Sequence, residues 1–208
     1  PMVRTWLICL MPLYAELQVT TNFSFLRGAS HPEEMVLQAA AFGYTAIGIT
    51  DRNSLAGVVR AHIAAKEAGI QLCVGARLDL IDGVSLLAYP TDRVAYGRLS
   101  RLITTGRRRA LKGECEIRRQ DVLEWGEGII FLVVLPHGNV VEGLGAQLNE
   151  LNTAFPGNCY IIANHLLRGD DMARLACLAN LAKSHGMSLV AANDAHMHSA
   201  ARRPLADV

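Results

Sequence analysis

The sequence predicts an α/β fold arranged as a barrel, and three observations carry that prediction. Short apolar strands alternate with amphipathic helices about five times, the pattern of parallel strands joined by crossover helices. No Gly-x-Gly-x-x-Gly turn follows any strand and strands recur without a switch point, so a barrel is favoured over a dinucleotide fold. No Pro/Ser-rich linker divides the 208 residues, so one domain is expected.

Each element follows from local chemistry. Tyr14 to Thr20 alternates strictly and reads as a strand. Ser30-His31-Pro32-Glu33 predicts a helix start, with Ser30 as N-cap, Glu33 closing a capping box, and Gly43 as the stop. Thr45 to Thr50 is a short apolar strand ending at Asp51. A second helix covers Leu55 to Ala68 and stops at Gly69, and 71–74 is a strand again. Asp82-Gly83 between apolar runs predicts a hairpin. Thr91-Asp92 caps a helix to about Thr105, and the basic stretch 106–119 reads as a polar connection. A short helix at 121–125, a strand at 129–135, a helix at 141–154 and a strand at 159–163 follow. A helix at 170–185 and a strand at 188–192 complete the pattern. Arg203 to Val208 looks like a first helical turn, with Pro204 near its start, so the domain is expected to be truncated at its C-terminal end.

Composition narrows the function classes. Hydrophobic residues are 51% and charged residues 19%, which excludes a globally disordered chain. The 20 basic and 19 acidic side chains nearly cancel, so nucleic-acid contact would have to use a local patch. Aromatics at 6% leave little for base-stacking platforms. Five cysteines, Cys9, Cys73, Cys115, Cys159 and Cys177, are odd in number and widely spaced, as in a reducing, cytoplasmic setting. The apolar run 6–11 is too short to span a bilayer, so residues 1–12 read as an irregular extension and no membrane partner is expected.

Barrel chemistry sits where strands end. Asp51 follows one strand; Asp194 and His196 follow another, and a D-x-H unit there can aim two ligands at one divalent ion. The alternative is that both aspartates cap the next turn. His137 and His165 also follow strands and are further candidates, or plain loop residues. His198 is an alternative to His196; His62 and His185 read as structural, and His31 has no assigned role. Arg107, Arg108, Arg109, Lys112, Arg118 and Arg119 form either a solvated face or a phosphate contact. There is no P-loop, no G-x-S-x-G and no Cys/His nucleophile pair.

Residues 14–80, with TTNFSFLRGASHPEE and ITDRNSLAG, and residues 189–208, with NDAHMHSAARRPLADV, resemble the amino-terminal region of bacterial C-family DNA polymerases of the error-prone class. In that family this region is the polymerase and histidinol phosphatase (PHP) domain, and the resemblance spans residues 13–208. It implies a distorted seven-stranded barrel. It also implies up to three metals at the strand ends, used elsewhere in the superfamily for phosphoester hydrolysis or 3′–5′ proofreading. Matched residue by residue, the first H-x-H falls on Gln18 and Thr20, and the D-H after the next strand on Asp51-Arg52. The following glutamate falls on Arg77, the closing D-x-H on Asp194 and His196, and a terminal histidine on Ala206.

These departures point to a dismantled metal cluster. Gln and Thr are poor substitutes for imidazole at Zn²⁺ or Mn²⁺. An inward Arg about 5 Å from a divalent ion is repelled by roughly 6–7 kcal/mol at an effective dielectric of about 20. No cofactor is therefore expected, or at most a partly occupied Zn or Mn site on Asp51, Asp194 and His196. The resemblance implies a non-catalytic PHP module of a damage-induced, translesion polymerase. Its partners would be the downstream polymerase domains and other mutagenesis or replication proteins, with DNA reached only through the parent. The palm carboxylates of the polymerase reaction lie beyond this chain. The alternative is a reduced phosphoesterase or proofreading exonuclease using the surviving Asp and His ligands.

Overall fold

A computed structural model of the chain describes residues 14–136 and 143–207. The elements run β1 (Ala15–Val19), α1 (Pro32–Ala41), β2 (Ala46–Ile49), α2 (Val58–Ala68), β3 (Gln71–Val74), β4 (Ala76–Leu78) and β5 (Ser85–Pro90). They continue with α3 (Arg93–Arg109), α4 (Arg119–Trp125), β6 (Ile129–Val134), α5 (Leu144–Ala154), β7 (Cys159–Ala163), α6 (Asp171–Ser184) and β8 (Ser188–Ala191). A 3₁₀ turn (Ala200–Arg202) leads into α7 (Arg203–Ala206). The α/β alternation is as the sequence predicts.

The seven-stranded barrel is corrected. The described residues form eight strands in two sheets, β1-β2-β3 and β4-β5-β6-β7-β8, and neither sheet closes on itself. The breaks fall where β1 faces β8 and where the chain after β2 faces β4, and the hairpin at Asp82-Gly83 makes the second sheet mixed. It returns β5 antiparallel to β4, and β5 also pairs antiparallel with β6, whereas the other pairs are parallel. Among the described residues, β-pairing between the two sheets is limited to isolated bridges. Thr20 N–H donates to the Ala195 carbonyl at 2.9 Å and Ala195 N–H to the Gln18 carbonyl at 2.8 Å. On the other side Arg77 N–H donates to the Asp51 carbonyl at 3.0 Å, and Asn53 N–H to the Arg77 carbonyl at 2.7 Å.

Three apolar clusters hold this arrangement. One lies outside the first sheet, where Met35 and Val36 of α1 and Ala61 and Ala65 of α2 cover Ile47 and Ile49. The largest lies outside the second sheet and joins Phe131 and Ile161 to Leu99, Leu102, Leu148 and Leu178 of the covering helices. A small inner cluster, Leu87, Tyr89, Leu132 and Ile162, lies between the sheets. Tyr89 ties them: its hydroxyl donates to the Leu17 carbonyl of β1.

Two local readings shift. The N-cap of α1 is His31, whose backbone N–H donates to the Glu34 carboxylate at 2.8 Å, one residue beyond the box expected at Ser30 and Glu33. Ser30 is engaged instead with His198, at 2.8 Å from Nδ1. The basic stretch is not all connection, because α3 runs to Arg109. The long helix is favoured by Asp92, whose side chain accepts from Ala95 N–H at 2.8 Å, and by arginines in the last turn against the helix dipole. No described helix is long and apolar enough to cross a membrane.

Candidate functional site at the carboxyl ends of the strands

A bulge in β1 aims the first site residue. Glu16 pairs with Ile47 and Val19 with Ile49, so β1 carries one extra residue between the two. The extra residue breaks the expected alternation. Leu17 packs in the inner cluster and Val19 in the outer one, although they are two apart. Gln18 is buried beside the end of β8, and its Nε2 donates to Asp194 Oδ1 at 2.7 Å. Its Oε1 accepts from Asn164 Nδ2 at 3.2 Å, and the same amide donates to the Ala192 carbonyl at 2.8 Å. His196 Nε2 stands 3.2 Å from Asp194 Oδ1. One carboxylate oxygen thus faces both the Gln18 amide and the His196 ring. Asp194 sits at φ 52°, the left-handed region that Asp tolerates better than most residues.

Asp51 is buried at the end of β2 and holds a different structure. Its Oδ1 accepts from Thr21 N–H at 2.9 Å and Ser24 Oγ at 2.7 Å, and its Oδ2 from Thr21 Oγ1 at 2.7 Å. Both oxygens therefore fasten the loop after β1. The alternatives left open by the sequence are a ligand or a cap; the geometry is that of a loop clamp. Burial pushes the Asp51 carboxyl above its ordinary value, against the three bonds that favour its ionised form. At Asp194 burial acts in the same direction, but His196, Arg77 and Arg27 outweigh it and hold that carboxyl low.

The two arginines at ligand positions share a carboxylate that sequence reasoning missed. Arg77 Nε donates to Asp79 Oδ1 at 2.9 Å, and Arg52 pairs with the other oxygen. Ser85 Oγ also donates to Asp79 at 2.6 Å. Burial would raise the Asp79 carboxyl; Ser85 and the two arginines reverse that and hold it below its ordinary value. Asp79 lies just past β4 in a hairpin, where no motif marks it. Glu16 and Asn164 were also missed, although polar residues inside buried strand ends were a readable signal; Gln18 was singled out from the sequence, but as a lost ligand rather than as a partner of Asp194.

The remaining histidines scatter. His165 is exposed in the loop after β7, and His62 is exposed on α2. His185 caps the end of α6, with Nδ1 at 2.7 Å from Asn149 Oδ1. His198 lies 3.7 Å from Glu34. His137, residues 1–13 and the side chain of Ala206 lie outside the described residues. Among the described residues, no three His, Cys, Asp or Glu side chains are grouped to hold a metal ion. A mostly apolar cavity of about 560 Å³, lined by Leu17, Cys73, Tyr89 and Leu132 among others, shares no lining residue with the Gln18–Asp194–His196 cluster or with Asp51.

Solved structures define the fold class. A crystal structure assigned as a metal-dependent phosphoesterase from Bifidobacterium adolescentis superposes with a TM-score of 0.68 at 17% identity, covering 89% of this chain and 88% of that one. An amidohydrolase from Chromobacterium violaceum, solved with sulfate and no metal, gives 0.64 at 18% identity, covering 88% and 87%. At such identities the likeness establishes the fold alone. The chain belongs to the PHP-domain family, whose model matches residues 16–160. The error-prone DNA polymerase of Caulobacter vibrioides is 50% identical over 198 residues, 95% of this chain and 18% of that protein. Error-prone DNA polymerase 1 of Agrobacterium fabrum is 44% identical over the same share of each. The chain thus spans less than a fifth of the length of these relatives.

Proposed function

We propose that this chain is the PHP module of an error-prone, translesion DNA polymerase, with its ancestral metal site replaced by a hydrogen-bonded cluster that serves structure. The supporting observation is the bond from Gln18 Nε2 to Asp194 Oδ1 at 2.7 Å. It puts a hydrogen-bond donor where the family places an imidazole lone pair. A cation bound between Asp194 Oδ1 and His196 would have to displace the Gln18 amide from that oxygen, with Arg77 near enough to bias the same carboxylate. Asp51 offers no free oxygen without releasing Thr21 or Ser24. This donor set does not fit a Zn²⁺ or Mn²⁺ cluster. The module's partners would be the polymerase domains that follow it in the parent protein, within the cytoplasm.

The test is hydrolytic. Purified chain, given Mn²⁺ or Zn²⁺, should leave a mismatched 3′ end and a generic phosphodiester intact, no faster than its His196→Ala variant. Metal-dependent cleavage that His196→Ala abolishes would replace this reading with a reduced phosphoesterase.

A further inference from the structure

The chain's charge is unevenly placed. Nine of its 20 basic residues fall within 93–119, with Glu114 and Glu116 as the acidic ones there. The remaining sequence carries 17 acidic and 11 basic side chains, so one segment opposes the sign of the rest. Most of that segment is α3, which holds six arginines and no acid.

Structure accounts for part of this charge. Arg98 pairs with Glu127, and Arg107 donates to the Asn53 carbonyl at 2.9 Å from Nη2. Arg109 grips Asp121 with two bonds of 2.7 and 2.8 Å. Arg119 pairs with Glu150 at 2.9 Å. Arg101 and Arg108 differ. They stand seven residues apart on one face of α3, both exposed, and no described carboxylate lies within ion-pair distance of either. Arg101 lies over the Trp125 ring of α4, 5.4 Å from its centroid, within cation–π range. Together with Thr104 and Thr105 they border a cleft of about 510 Å³ between α3 and α4. Glu124 is the one carboxylate lining it among the described residues.

We propose that the α3–α4 cleft binds the phosphodiester backbone of single-stranded DNA through Arg101 and Arg108. Arginine forks match phosphate oxygens in bidentate geometry. One strand is taken as the occupant because a cleft of about 510 Å³ is too small to enclose a duplex. The choice of nucleic acid over another polyanion rests on reading the chain as part of a DNA polymerase. The contact is to backbone, so it carries affinity without sequence preference and falls with salt.

Fluorescence anisotropy of labelled oligodeoxythymidine tests it, at low salt with EDTA present, so that hydrolysis and metal binding play no part. The 208-residue chain should bind. Arg101→Glu/Arg108→Glu should weaken binding at least tenfold and reduce the log–log salt slope by about 1.4, two contacts at about 0.7 each. Arg60→Glu/Arg203→Glu changes net charge equally on other surfaces and should stay within about twofold of the parent. Because Arg101 packs on Trp125, Arg108→Gln alone is the second variant, expected to weaken binding about threefold without altering the fold. No binding by the parent, equal losses in both double variants, or equal affinity for polyglutamate would overturn the proposal. None of these would bear on the metal reading.

Discussion

Asp51 shows how a residue type that reads as a ligand can act as a clamp. Three donors from Thr21 and Ser24 converge on its buried carboxylate. Removing it strands those donors, each costing about 1–3 kcal/mol when left unsatisfied. Asp51→Ala should therefore destabilise the chain by about 2–4 kcal/mol. Its thermal midpoint should drop by roughly 8 °C, read by circular dichroism. A fall of under about 2 °C would show that the loop holds without the clamp. Tyr89 makes a second case: its buried hydroxyl bonds to Leu17 across the gap between the sheets. Tyr89→Phe leaves that carbonyl without its partner and should cost about 1–2 kcal/mol in urea unfolding.

At the scale of elements, close approaches set what can change. A Cβ at Gly48 of β2 would lie 2.4 Å from the Tyr89 hydroxyl, and one at Gly75 would lie 2.6 Å from the same ring, which the bond to Leu17 holds in place. Gly48→Ala should destabilise by about 1–3 kcal/mol through overpacking; an unchanged midpoint would mean that the ring yields. The α3–α4 tie predicts a pH effect. The bonds from Arg109 hold the Asp121 carboxyl below its ordinary value, against desolvation. As pH falls, the unfolded chain then takes up that proton first. The tie contributes fully above about pH 5 and is lost as pH falls through the folded value. Asp121→Asn should shrink the fall in midpoint between about pH 5 and pH 3; an identical fall would assign it to other carboxylates. The elements themselves were largely legible, because capping residues, glycine stops and apolar periods are local signals. Asp92 before α3 and Gly69 after α2 are where sequence alone put them. The length of α3 was not, since Arg107 and Arg109 read as loop charges until Asn53 and Asp121 arrive from elsewhere in the fold.

For the whole molecule, the α/β order and the hairpin were readable, and the break into two sheets was not. Closure depends on whether strand edges far apart in sequence meet along their length, and here they meet at single bridges, Val19 with Ala195 and Arg52 with Arg77. The candidate site was half legible for the same reason. Asp51, Asp194 and His196 stand at strand ends as expected, but Asp51 faces Thr21 and Ser24 while Asp194 faces Gln18 and His196. Their separate partners, rather than their residue types, decide what they do. In the function proposed above, these partners take the place of a metal. Elemental analysis of the purified chain after dialysis against Zn²⁺ and Mn²⁺ tests this most directly. Well below one equivalent of either metal should remain, unchanged in Asp194→Ala; a stoichiometric, tightly held ion that Asp194→Ala removes would overturn the proposal.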